Sequence, residues 1–275
     1  MTKREKISRW GVLIGVIVFG ILWYADPTYS QDGLTQTLCR SLLSRVLGSL
    51  IFVSLAIFLS YRILHRMPLS CLWVLLPCLA VVVNNLPILS LLRSEAWVER
   101  WDLLGLFTVD CLLIGIFEEL AFRGTLFLAI LEKRRGSTRQ IFMTAFLSSA
   151  IFGLVHLANL LEGAGVVVTL MQVGYSFLIG GMCSIVLLKS HNILPCILLH
   201  AIFDFCGSLI PTLGEGEIWN TPTIVITAVL AVVVSAWMIY VLCGVKPEET
   251  DCFYLKKSTE RENENKHEHA EDQQG

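Results

Sequence analysis

Eight apolar runs, each near the roughly 20 residues needed to cross about 30 Å of hydrocarbon, leave this chain little choice of fold. They are Trp10–Tyr24, Leu42–Tyr61, Leu69–Leu92, Trp101–Ile130, Gln140–Leu161, Val166–Leu188, Ile193–Pro211 and Thr223–Leu242. Together they predict an all-α, polytopic transmembrane helix bundle with about eight crossings. Composition agrees: 55% of the 275 residues are hydrophobic and 16% charged, against about 45–50% and about 25% in soluble domains. The spans divide the chain into three N-terminal helices (1–100), a core (101–211), a last helix (212–245) and a polar tail (246–275). That tail, ending "ENENKHEHAEDQQG", is expected to be disordered, with His267 and His269 merely solvated.

Loop charges set the orientation. Lys3, Arg4, Lys6 and Arg9 precede the first run, which reads as a retained anchor because no small-residue cleavage site follows it. Arg62 and Arg66, then Lys133, Arg134, Arg135 and Arg139, then Lys189 recur after every second run, and the alternate loops carry Glu95, Glu99, Glu162, Glu215 and Glu217. Basic loops mark the cytoplasmic side, so both termini are expected there, and a bacterial plasma membrane is the favoured setting. The tail holds nine acids and five bases, leaving 14 acids and 16 bases in the body; nucleic acid is not suggested. The nine cysteines are odd in number, form no CxxC pair and fall mostly in apolar runs, so a disulfide framework or zinc ribbon is not expected.

Two runs depart from plain spanning helix. "PCLAVVVNNLP" predicts a kinked helix whose Asn84 and Asn85 bond to neighbouring helices, with a site lining as the alternative. Gly174, Gly180 and Gly181 suit close helix approach.

The most informative stretch is "GIFEELAFRG", which places Glu118, Glu119 and Arg123 inside the fourth run. Each ionisable group at the centre of a membrane helix costs about 2.5–3.5 kcal/mol on insertion scales, and interhelical polar bonds return only about 0.6 kcal/mol on average. Helix glue is therefore a poor account of three such groups. Glu119 and Arg123 stand at i, i+4 with the acid N-terminal, the better order for an ion pair. Glu118 is rotated about 100° away and needs a partner from another helix. His156, in "IFGLVH", and His200, in "LLHAIFDF", are the candidates, each with an i−4 or i+4 companion (Phe152, Asp204) on its face. A carboxylate beside histidines in a partly dry cavity suits activation of water, with one histidine orienting it and another donating to an oxyanion.

On these residues the chain resembles the CPBP intramembrane proteases, which include CAAX prenyl endopeptidases and bacterial Abi or bacteriocin-processing relatives. The family pattern of EExxxR, FxxxH and HxxxN or HxxxD on successive helices is matched by Glu118–Arg123, Phe152–His156 and His200–Asp204, over roughly Gly105 to Leu209. The resemblance implies an intramembrane endopeptidase in which Glu118 is the base, Glu119 and Arg123 support the site, and His156 and His200 position water and stabilise the oxyanion. Asp204 stands where eukaryotic CAAX enzymes have Asn. Either it is ionised and orients His200 by accepting a ring N–H, or it is protonated and donates directly; the first reading is the one carried forward. The expected substrate is a membrane-anchored protein or peptide, of CAAX or leader type, and the lipid bilayer is the setting. No cofactor is expected, although Glu118, His156 and His200 have the ligand types of a zinc site. HExxH and GxGD motifs are absent. The alternatives are a transporter, disfavoured by the lack of a clear inverted repeat, and a non-catalytic immunity or scaffold protein.

Overall fold

The computed structural model describes residues 33–254; the expected anchor Trp10–Tyr24 and the His267/His269 region lie outside them. The described residues are 79% helical. Helix α1 (Leu34–Phe58) is followed by α2 (Leu72–Asn84), short α3 (Ile88–Leu92) and strand β1 (Ala96–Val98). Helix α4 (Leu104–Ala121) runs through a π-helical turn, Phe122–Phe127, into α5 (Leu128–Leu131). Then come α6 (Thr138–Val155) with a 3-10 extension (His156–Leu160), α7 (Val166–Ser190), α8 (Leu194–Leu213), β2 (Gly214–Gly216) and α9 (Thr221–Cys243), closed by a 3-10 turn, Pro247–Phe253. Among the described residues five helices are long and apolar enough to cross a membrane: α1, α6 with its extension, α7, α8 and α9. The fourth run forms the α4–π–α5 unit, whose ionisable residues distinguish it from those five. The bundle exposes apolar side chains, among them Val229, Val232 and Val233 of α9, as lipid contact requires and water would penalise.

The third run does not form one helix. It stops at Asn84, turns through Asn85–Leu86–Pro87 and restarts at Ile88, because Pro87 lacks an N–H and disfavours helical geometry in the residue before it. Both asparagines are held as the kinked-helix reading expects: Asn84 donates to the Thr227 hydroxyl of α9 at 2.8 Å and Asn85 to the Phe203 carbonyl of α8 at 2.9 Å. The glycine expectation holds in part. A Cβ on Gly180 would meet Arg123 at 2.9 Å and Ser149 at 3.0 Å, and one on Gly181 would meet the flexible Met238 thioether at 3.2 Å, but Gly174 faces open space.

The two ends of the bundle are built differently. At one, the 61–65 loop bridges to residues 192 and 254, Lys189 pairs with Glu249 at 2.6 Å, and Arg135 pairs with Asp251 and lies 4.4 Å from the Tyr254 ring centroid. At the other, β1 and β2 form an antiparallel ribbon pairing Ala96 with Gly216 and Val98 with Gly214. Segments expected on one side of the membrane are thus found together. The tail corrects expectation: its first part is not disordered, since Pro247–Phe253 folds and buries Thr250 and Phe253 completely. Its acids find cations that are distant in sequence, which composition does not reveal.

A dry core fills the bundle toward the basic end, where Phe127, Leu128, Leu131, Met182, Ile185 and Leu187 are wholly buried. Toward the ribbon end the helices part around a cavity.

Candidate active site

Glu118 and Glu119 occupy the last turn of α4, where both are buried, and Arg123 follows in the π-turn. The expected ion pair is present: Arg123 Nη1 donates to Glu119 Oε1 at 2.8 Å, with neither side chain exposed. The widened turn leaves a carbonyl at Leu120 that the Thr125 hydroxyl, five residues on, satisfies at 3.0 Å. Such π-turns recur at functional sites. The guanidinium also stacks on Phe152, its central carbon 4.5 Å from the ring centroid, a cation–π contact that desolvation strengthens.

Phe152 organises the site more than its place in a motif suggests. Its ring meets Phe122 at 4.7 Å, His156 at 5.2 Å and His200 at 5.6 Å, all edge-on. His156 lies where α6 tightens into its 3-10 extension, and its Nδ1 bonds the Phe152 carbonyl at 2.9 Å. A carbonyl only accepts, so Nδ1 carries a hydrogen and a neutral ring leaves Nε2 as an acceptor.

His200 on α8 brings the two glutamates together. Its Nδ1 donates to Glu119 Oε1 at 2.7 Å, and its Nε2 stands 3.4 Å from Glu118 Oε2 and 3.6 Å from Asp204 Oδ2. This changes two expectations. Glu119, expected only to pair with Arg123, also fixes the His200 ring. Asp204, expected to orient that ring, reaches only the opposite nitrogen and beyond hydrogen-bond range; the helical i, i+4 spacing puts it beside Nε2, with Nδ1 already taken. Gly115 permits the close approach of α4 to α8 on which these distances depend, since a Cβ there would lie 2.8 Å from the Ile197 carbonyl.

Glu118, Phe152, His156, His200 and Asp204 line a cavity of about 510 Å³ enclosed by α1, α4, α6, α7 and α8; Glu119 and Arg123 do not reach its wall. The wall also holds Arg45, Asp110, Gln172 and Tyr175, none singled out from sequence. Ser41 of α1 donates to Asp110 at 2.8 Å. A signal existed for two of them: Asp110 and Arg45 are ionisable residues inside apolar runs, the same anomaly that marks Glu118. Among the described residues no three His, Cys, Asp or Glu side chains converge as a metal-binding group.

Residues 100–206 match the family described as Type II CAAX prenyl endopeptidase Rce1-like. This segment is thus similar to the CPBP/CAAX protease family. The match begins just before α4, ends two residues past Asp204 and contains every site residue expected from sequence. No curated protein and no solved structure matches the chain. With the apolar helices, the match supports an integral membrane protein.

Proposed function

We propose that the protein is a metal-independent intramembrane endopeptidase in which Glu118 activates water against a peptide bond of a membrane-associated substrate. The carrying observation is the convergence of Glu118, His200 and His156 on one cavity wall inside the Rce1-like segment, Glu118 Oε2 standing 3.4 Å from His200 Nε2. Glu118 takes one proton from a water whose other hydrogen is accepted by His156 Nε2, the nitrogen that the Phe152 carbonyl bond leaves without a hydrogen. The hydroxide adds to the scissile carbonyl carbon. His200, carried as an imidazolium among the carboxylates of Glu118, Glu119 and Asp204, donates from Nε2 to the developing oxyanion. Collapse of the tetrahedral intermediate breaks the C–N bond, and Glu118 returns its proton to the leaving amine. Preorganised donors of this kind contribute about 2.7–4 kcal/mol to a transition state. The burial of Glu119 and Arg123 behind the wall supports a positioning role for both.

The test is cleavage of a membrane-tethered, quenched-fluorescence peptide library by the purified protein in liposomes. Glu118→Gln should assemble normally and lose cleavage by at least about 10²-fold, in the range of general-base removal. Wild-type turnover by this variant would remove Glu118 from the chemistry. Wild-type activity should also survive exhaustive chelation, and its loss would replace the metal-free reading.

A further inference from the structure

The cavity is one-sided. Its rim is formed by Leu34 and Thr37 at the start of α1, Glu162 and Ala164 in the loop between α6 and α7, and Thr212 at the end of α8. These positions lie at the end of the bundle that carries the β1–β2 ribbon, where Leu213 accepts hydrogen bonds from the backbone N–H groups of Glu99 and Arg100. No residue of the opposite loops, 59–68, 132–137 or 189–193, lines the cavity. Phe127, Leu128, Leu131, Met182 and Ile185, in the parts of the bundle toward those loops, are all wholly buried.

The charges say which compartment the mouth meets. The closed end holds Arg62, Arg66, Lys133, Arg134, Arg135, Arg139, Lys189 and Lys246. The open end, among the described residues, holds Arg93 and Arg100 with Arg40 and Arg45 on α1, beside Glu95, Glu99, Asp102, Glu162, Glu215 and Glu217. An excess of Lys and Arg near helix ends keeps that face in the cytoplasm. We propose that this site opens to the non-cytoplasmic face and draws its substrate from there: a translocated, membrane-anchored segment of peptide rather than the C-terminus of a cytosolic protein. The substrate class rests on the proteolytic reading above; the direction of access does not.

Two measurements separate them. In intact cells expressing the full chain, a charged, membrane-impermeant maleimide mass tag is applied to Thr212→Cys and Lys133→Cys, counting increments beyond those of the unsubstituted chain, whose nine cysteines are all free thiols. Thr212→Cys should gain one tag from outside, whereas Lys133→Cys should gain one only in inverted vesicles. Tagging of Thr212→Cys from the cytoplasmic face, from both faces or from neither would overturn the proposal. In the second measurement, the tethered peptide library is added to right-side-out and inverted vesicles. At least tenfold faster cleavage in right-side-out vesicles is expected, and the reverse preference would overturn the direction of access. External tagging with cleavage in neither preparation would uphold the access route and count against proteolysis.

Discussion

Glu119→Gln tests whether the site is held by charge or by shape. Glu119 Oε1 receives both the Arg123 guanidinium, at 2.8 Å, and His200 Nδ1, at 2.7 Å, in a position with no solvent exposure. An amide at this position keeps an acceptor oxygen but not the charge, and its NH₂ group cannot accept from either partner. Arg123 stays ionised in any protein environment, so the substitution leaves a wholly buried cation without its counter-charge. Breaking a buried pair from one side costs about 3–5 kcal/mol, a shift of roughly 10²- to 5 × 10³-fold in the unfolding equilibrium. In detergent micelles titrated with a denaturing detergent, Glu119→Gln should unfold far earlier than wild type. Glu118→Gln, at the cavity wall, should stay within about 1 kcal/mol of wild type, the range of an ordinary net hydrogen bond. Removing both charges, in Glu119→Leu with Arg123→Met, should recover much of the loss, because apolar isosteres of a buried pair are often neutral or better. Wild-type stability of Glu119→Gln, or a double variant no better than the single, would refute the electrostatic account.

The remaining predictions follow from other contacts. Asp204→Asn should keep turnover within about tenfold across pH 6–9, the span of one ordinary hydrogen bond, because Glu119 and not Asp204 holds the His200 ring; a larger loss in a well-folded variant would restore the orienting role. Gly180→Ala should lower stability by about 1–3 kcal/mol through overpacking, since its Cβ would meet Arg123 and Ser149 at 2.9 and 3.0 Å, whereas Gly174→Ala, facing open space, should be neutral or stabilising in the same titration. Equal effects would show that close approach at Gly180 is unimportant. The closing turn Pro247–Phe253 should loosen in acid. Burial and then His65 hold His191 below its ordinary value of 6.5; for Glu249 burial acts upward, but the Lys189 hydrogen bond, the Lys246 N–H and the charges of Lys189 and His191 together hold it below 4.5. For both groups the unfolded state binds protons more readily, so their stabilisation is present above the unfolded values and is lost as pH falls through 6.5 and then 4.5. Hydrogen exchange of 247–254, corrected for intrinsic rates, should accelerate as pH falls from 7 to below 4.5, and unchanged protection would refute it.

Most of the site was legible because apolar runs make every ionisable residue conspicuous. Glu118, Glu119 and Arg123 stood out against their surroundings, helical spacing alone paired Glu119 with Arg123, and His156 and His200 were the natural partners for Glu118. What spacing could not supply was the meeting of α4 with α8. The bond from His200 to Glu119 crosses 81 residues, and intrahelical geometry pointed instead to Asp204. Asp110 and Arg45 carried the same signal as Glu118 and were passed over for lack of a motif. The break at Pro87 and the bonds of Asn84 and Asn85 followed from residue chemistry, while the closing turn did not, because its cations lie on other loops. The expectation of close helix approach failed at Gly174, where an added Cβ would meet nothing within 4 Å.

The π-turn at Phe122–Phe127 has a consequence for how this helix is indexed. An α-helix turns by about 100° per residue, so one residue added to the backbone pitch resets the azimuth of everything downstream. Upstream, α4 aims Glu118 at the cavity. Downstream, Leu128 and Leu131 point into a region without water. A uniform α-helix of the same length would carry Leu128 and Leu131 about 100° further round, but the wide turn takes up one residue and keeps both halves facing as they do. Deleting one residue of 124–127 removes that slack: the turn closes to the α pitch while the acidic and apolar halves keep their azimuths. A single-codon deletion here should therefore be milder than the loss of Glu119.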